Sequence, residues 1–167
     1  GITNQDKHVV GYALEENKAI VIVVNKWDLV EHTDNAMNEF KKKVRNEFKF
    51  LDYAPIVFLS AKDKSRIQTL FPEINIAYNS YNFRVGTSVL NDVIADAQIM
   101  NPTPVFNGGR LKIYFASQVA TCPPTFILSV NNPEFMHFSY QRYIENRLRD
   151  SFEFTGTPLK IICRERK

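Results

Sequence analysis

The chain has 167 residues, 44% of them hydrophobic and 23% charged, with a formal net charge of +3 at pH 7. The apolar share is too high for a disordered chain. No stretch nears the roughly 20 uncharged apolar residues of a membrane-spanning helix, and the longest apolar run covers only residues 19–24. Cys122 and Cys163 are the only cysteines, too sparse for a disulfide scaffold or a Cys-type zinc site, which predicts reduced thiols in a cytosolic protein. The first residues, Gly1-Ile2-Thr3-Asn4-Gln5-Asp6, lack the basic and apolar blocks of a signal peptide. They carry no methionine and open directly on a helix start, so a fragment of a longer chain is expected. Residues 1–80 balance at 11 Lys+Arg against 11 Asp+Glu, whereas 81–167 carry ten against seven. The positive excess therefore lies in the second half.

Thr3 with Asp6 three residues later resembles a capping box, with Asp in place of the usual Glu. The helix it opens repeats Val9, Val10, Ala13 and Leu14 at helical spacing. Residues 19–24 are an uninterrupted, β-branched run, predicted as a strand buried on both faces in a parallel sheet covered by helices. Thr33 is the expected cap of a second helix with Met37, Phe40, Val44 and Phe48 as its apolar stripe. Lys41, Lys42, Lys43 and Arg45 then fall on a solvated face. Residues 55–59 read as a second buried strand. A third helix is expected from about Ser65, with Ile67, Leu70, Phe71, Ile74 and Ala77 inward and an irregularity at Pro72.

This order, α-β-α-β-α, is half of a doubly wound fold. The strand expected before the first helix is not in the sequence, so the 19–24 strand would present an unpaired apolar edge. Upstream polypeptide, or another chain, is expected to cover that edge.

Residues 79–86 lose the periodicity and read as a linker. Thr87 or Ser88 is then expected to cap a helix with Leu90, Val93, Ile94 and Ala97 inward, ended by Asn101-Pro102-Thr103-Pro104. Strands at 111–116 and 125–130, a long helix at 133–152 with Tyr140, Ile144 and Leu148 inward, and a strand at 159–163 complete an α-β-β-α-β module. The expected organisation is an α/β half-domain over 1–79, a linker over 80–86 and an α+β domain over 87–167.

The residues richest in chemistry are Asn25-Lys26-Trp27-Asp28, directly after the first strand. Ligands of open α/β sheets bind outside the carboxyl ends of the strands, which is where this segment lies. Its residue types suit guanine. The Asp28 carboxylate can accept from the ring N1–H and the exocyclic amine together, a charge-assisted bidentate pair that adenine cannot supply. Asn25 can donate and accept, bridging the N7 side of the base to neighbouring loops. Lys26 can lay its apolar stem along the purine. The second strand ends in Ser60-Ala61-Lys62, where a small residue lets a backbone N–H reach the guanine O6, Ser60 can brace the loop or Asp28, and Lys62 can cover the other face. Alone, N-K-x-D is short enough to arise as a helix-entry loop; S-A-K after the next strand makes the pair specific. Trp27 either shields the base or packs beside the strand.

With these motifs the chain resembles a known family. Its first 78 residues look like the C-terminal half of a translation-factor-type GTPase domain, and the rest resembles the C-terminal domain of the Der (EngA) family. The stretches that carry the likeness include Val23-Val24-Asn25-Lys26-Trp27-Asp28, Thr87-Ser88-Val89-Leu90-Asn91-Asp92, Gly109-Arg110-Leu111-Lys112-Ile113-Tyr114, Pro123-Pro124-Thr125-Phe126, His137-Phe138-Ser139-Tyr140, Glu145-Asn146-Arg147-Leu148-Arg149 and Gly156-Thr157-Pro158. The resemblance implies a partial P-loop GTPase domain followed by a KH-like domain, from a bacterial double-GTPase of large ribosomal subunit assembly. It implies GTP/GDP as ligand, Mg2+ in the intact parent only, and a cytoplasmic, ribosome-associated protein. Expected partners are rRNA, ribosomal proteins and the upstream GTPase domains, with no membrane.

The sequence departs from that family in what it lacks. It contains no G-x-x-x-x-G-K-[ST] loop, no switch threonine and no D-x-x-G loop. The expected site is therefore Asn25, Lys26, Asp28, Ser60, Ala61 and Lys62, with no catalytic residue, no metal ligand and no GTP hydrolysis by these 167 residues alone.

The KH-like half lacks a G-x-x-G loop joining two helices, since Asn107-Gly108-Gly109-Arg110 precedes a strand instead. Its basic residues remain as candidates for nucleic acid: Arg142, Arg149, Lys160, Arg164, Arg166 and Lys167, with Arg142 and Arg149 sharing a helix face. The alternative for those charges is a solvated surface. Two rival readings stand beside the whole: a non-catalytic protein or RNA interaction module with a vestigial nucleotide site, and another α/β nucleotide binder matching N-K-x-D by coincidence. His8, His32 and His137 have no ligand spacing, and Tyr140, Tyr143 and Phe138 read as packing residues.

Overall fold

In the computed structural model, which describes residues 1–167, helix α1 (Asn4–Glu15) begins at the expected capping box. The Asp6 N–H donates to Thr3 Oγ1 (3.3 Å) and the Thr3 N–H donates to Asp6 Oδ2 (2.7 Å). Strand β1 (Ile22–Val24) pairs in parallel with β2 (Ile56–Phe58), with Val24 opposite Phe58. Both strands are shorter than predicted, and β1 is not buried on both faces: Val23 is 42% exposed. Val23 lines an open groove, and β2 is the only strand paired with β1. An apolar groove of about 440 Å3 runs beside β1, lined by Ile2, Val10, Val23, Phe40, Val44 and Phe48 among others.

Helix α2 (Ala36–Glu47) buries Val44, and Phe48 just after it, against Leu51 and Ala54. Thr33 does not cap it by its side chain; its carbonyl accepts from the Ala36 N–H (3.1 Å) and Asn35 takes the cap position. Arg45 also leaves the solvated face assigned to it. Its guanidinium donates to the carbonyls of Leu51 and Ala54, both at 2.6 Å, and so pins the turn between α2 and β2. Those two residues are fully buried, so their carbonyls need such a donor.

Helix α3 (Leu70–Tyr81) follows a 3-10 turn at Ile67–Thr69. Pro72 sits in its first turn, where its missing N–H has no helical partner, so no irregularity results. The buried face is Ala77 with Ser80, while Phe71 is 60% and Ile74 43% exposed, against expectation. Ala77 is met by a close backbone approach. The Gly156 N–H donates to the Tyr53 carbonyl (2.8 Å) and its own carbonyl accepts from the Ile20 N–H (2.7 Å). A Cβ on Gly156, whose φ is +81°, would stand 2.6 Å from the Ala77 Cβ, so only small residues fit there.

The chain divides into two compact units, residues 1–81 with 155–158 and residues 82–154 with 159–167. Residues 79–81, read as linker, belong to α3.

In the second unit, helix α4 (Thr87–Met100) buries Leu90, Ile94 and Ala97; Gly86, not Thr87 or Ser88, holds its cap position. A hairpin absent from the sequence reading follows, β3 (Val105–Phe106) with β4 (Gly109–Arg110). Its turn residues Asn107 and Gly108 both have positive φ, the Asn-Gly pattern of a two-residue hairpin. Strand β5 (Ile113–Ala120) runs antiparallel to β6 (Thr125–Val130), which runs parallel to β7 (Lys160–Glu165), in the order β5-β6-β7. Helix α5 (Phe138–Ser151) comes after a separate 3-10 turn, and His137 caps it: its Nδ1 accepts from the Ser139 N–H (3.1 Å).

Leu90, Ile94, Tyr140, Ile144 and Leu148 from the two helices pack on Phe126, Leu128 and Val130 of the sheet. Fully burying each such side chain contributes roughly 1.5–3 kcal/mol. The opposite sheet face stays open, with Phe115 and Ile162 exposed. Both cysteines are free thiols.

Candidate functional site: a two-loop purine cradle and a basic sheet face

Parallel pairing of β1 and β2 sends both strands out of the sheet at the same edge, and the ladder continues into the loops. The Leu59 N–H donates to the Val24 carbonyl (3.1 Å) and the Trp27 N–H donates to the Leu59 carbonyl (3.1 Å). Asn25 then ties the two loops together. Its Oδ1 accepts from the Lys26 N–H (2.7 Å) and from the Ala61 N–H (3.0 Å), across 36 positions of sequence. Lys26 adopts the left-handed conformation (φ +57°) that turns the chain into a short 3-10 segment, Trp27–Leu29.

Asp28 sits in that segment. One of its carboxylate oxygens, Oδ1, is closed off from solvent and meets no donor. A buried acceptor without a partner carries the full cost of its lost hydration. Asn25, Lys26, Ala61 and Lys62 are exposed, whereas Ser60 is fully buried. The Ser60 N–H donates to the Ser65 carbonyl (3.1 Å) and its hydroxyl accepts from the Asp63 N–H (3.3 Å). Ser60 thus braces its own loop and not Asp28. The Ala61 N–H is taken by the Asn25 Oδ1.

Trp27 is 2% exposed and packs edge-on against Phe58 (ring centroids 4.7 Å) and Phe40 (6.0 Å), so it is a wedge behind the loop and not a shield over the base. Arg66, missed in the sequence reading, anchors the far end of the second loop: its Nε donates to the Phe58 carbonyl (3.0 Å). No three His, Cys, Asp or Glu side chains are grouped as in a metal site.

The six basic candidates of the second half separate into two sets. Arg142 and Arg149 lie on α5, on the helical side of the sheet. Arg149 is committed to the fold: its Nε and Nη2 reach Glu145 Oε1 (3.3 and 3.1 Å) and its Nη1 the Phe154 carbonyl (3.1 Å). Lys160, Arg164 and Arg166, with Lys167, belong to β7 and its end, and are exposed.

Residues 1–80 match the family model of the elongation factor Tu GTP binding domain, and residues 84–164 match that of the KH-domain-like C-terminal part of EngA bacterial GTPase enzymes. Among curated relatives, GTPase Der of Bacillus cytotoxicus is 60% identical over 166 residues, covering 99% of this chain and 38% of the relative. GTPase Der of Geobacillus thermodenitrificans is 56% identical over 167 residues, covering 100% of this chain and 38% of the relative. The chain belongs to the Der (EngA) family. It spans 38% of the length of these relatives.

Proposed function

We propose that the chain is the guanine-recognising part of a ribosome-assembly GTPase of the Der family, joined to a KH-like domain that faces rRNA or a partner GTPase domain. The observation that carries the reading is the Asn25 carboxamide oxygen accepting from the Ala61 N–H at 3.0 Å, which ties the loop after β1, where Asp28 lies, to the loop after β2. A carboxylate and an amide on the first loop, tied to the second at a single sheet edge, suit the N1 and amino edge of guanine. Lys26 and Lys62 flank the base. GTP hydrolysis belongs to the intact protein; residues 1–167 contain no phosphate-cradling lysine loop and by themselves turn over no GTP. When bound, magnesium would serve the phosphates. The cellular setting that accords with the family is the bacterial cytoplasm, on the large ribosomal subunit.

The test is an NMR titration of the 15N-labelled chain with GMP, AMP and XMP. GMP should shift the amides of 25–28 and 60–63 at lower concentration than AMP. Asp28→Asn should transfer the preference towards XMP, which presents a carbonyl where guanine has its amine. Equal responses to GMP and AMP, or a GMP preference that survives Asp28→Asn, would refute the assignment. So would GTP turnover by the purified 167-residue chain.

A further inference from the structure

The open face of the β5-β6-β7 sheet combines aromatic rings with a row of cations. Register places Lys112, Asn131 and Arg166 together at one end: the Asn131 N–H donates to the Lys112 carbonyl (3.1 Å) and the Arg166 N–H to the Val130 carbonyl (2.9 Å). The next rows on this face are Phe115, Ser129 and Arg164, then Ser117, Ile127 and Ile162. An irregularity of register between Ile113 and Phe115 inserts Tyr114, which is 40% exposed beside Phe115 at 48%. The Tyr114 ring has Lys112 Nζ 5.3 Å and the Arg166 guanidinium 4.8 Å from its centroid. The acid of β7, Glu165, stands opposite Val130, a core residue, so alternation turns it to the other face. Lys160, Ile162 and Arg164 alternate onto the open face along β7, an edge strand.

We propose that this open sheet face, centred on Tyr114, binds single-stranded nucleic acid, Tyr114 stacking a base while Lys112, Arg164 and Arg166 meet the phosphates. This deepens the RNA-facing reading above and rests on it. Cations without a facing acid select a polyanion, and exposed rings among them select flat bases. That combination is how single strands are held without sequence-specific hydrogen bonds, and it needs no G-x-x-G loop. A duplex keeps its base faces stacked and cannot use Tyr114. The cation–π contacts that now cover the ring are weaker than base stacking, so a base displaces a cation, which turns to the backbone. Arg149 takes no part, being bound to Glu145 and Phe154.

Fluorescence anisotropy with a fluorescein-labelled, mixed-sequence 12-nucleotide RNA and the purified 167-residue chain tests this across a KCl series. Tyr114→Ala should weaken binding roughly 5- to 160-fold, the range for loss of one stacked base, and Tyr114→Phe should restore it. Lys112→Ala with Arg166→Ala should lower the slope of log affinity against log salt by about 1.4, two phosphate contacts on a single strand. Duplex RNA of the same sequence should bind more weakly, and single-stranded DNA comparably. If the chain binds the RNA but Tyr114→Ala and the double variant change nothing, this placement falls and the RNA-facing reading stands. If the wild-type chain binds no RNA, both fall. A preference for duplex overturns the stacking role of Tyr114.

Discussion

Removing the Asn25 carboxamide should free the loop after β2 from the loop after β1. In Asn25→Ala the Ala61 N–H loses its acceptor at 3.0 Å and the Lys26 N–H its acceptor at 2.7 Å. Both loops are exposed, so water replaces the lost partner. The cost per bond is then that of a net hydrogen bond, about 0.5–1.5 kcal/mol, and local opening at Ala61 becomes roughly 2- to 13-fold more frequent. Amide hydrogen exchange followed by NMR reads this directly, because protection at one amide reports its own opening. The Leu59 N–H, bonded to the Val24 carbonyl at 3.1 Å, is the internal reference and should change less than twofold. Asn25→Asp keeps an acceptor oxygen and should keep Ala61 protected while losing the amide donor offered to the base. An Ala61 exchange rate that does not move in Asn25→Ala refutes the strut. Leu59 accelerating equally would show that the sheet had loosened and not the loop tie.

Two further outcomes are expected. Gly156→Ala and Gly108→Ala both place a side chain at positive φ, +81° and +85°, but nothing stands within 4 Å of a Cβ at Gly108 whereas Ala77 blocks one at Gly156. Calorimetry should show a penalty of about 1 kcal/mol for Gly108→Ala and roughly 1–3 kcal/mol beyond that for Gly156→Ala, the usual range for overpacking; equal losses would sink the steric account. Asp6 is held below its ordinary value of 3.8 by the Thr3 N–H and then by the Thr3 hydroxyl. A carboxylate with a depressed folded pKa stabilises above its unfolded value and stops doing so as pH falls through the depressed one. The first turn of α1 should therefore fray below pH 3.8, visible in the amide signals of 4–7, and Thr3→Ala should remove that pH dependence.

Much of the architecture was legible because its signals are local. The Thr3–Asp6 cap, the β-branched runs and the stripe of Tyr140, Ile144 and Leu148 each declare themselves within a few residues. What sequence did not show depends on partners far along the chain. Phe71 and Ile74 are as apolar as core residues, yet the buried face of α3 is Ala77 and Ser80, and Ala77 is met by a glycine 79 positions beyond it. Arg45 reads as one more cation in a basic run until two buried carbonyls are found in its reach. In the second unit the Asn107-Gly108 turn was readable and was passed over because the flanking strands are two residues each. The site itself divides the same way. Residue types marked Asn25, Asp28 and the 60–62 turn, but only pairing in space could reveal that Ala61 donates to Asn25 and that Ser60 serves its own loop. Tyr114 was hidden by register: a regular strand would send Tyr114 and Phe115 to opposite faces, and the irregularity after Ile113 exposes both.

The shortness of β1 and β2 has a mechanical consequence for the cradle. Three paired residues per strand make a weak ladder, and a slip of one residue would turn Asn25 and Asp28 to the wrong faces. The bonds beyond the strands, Leu59 to Val24, Trp27 to Leu59 and Ala61 to Asn25, extend the pairing by as many links as the sheet has rows and so fix register where the base would lie. Trp27, wedged against Phe58 and Phe40, blocks the slip from beneath, because moving it by one residue would drive the indole out of a fully packed pocket. The motif positions in N-K-W-D accordingly divide their labour. Asn25 and Trp27 hold the two loops in register, and one oxygen of Asp28, closed off from solvent, is left without a donor.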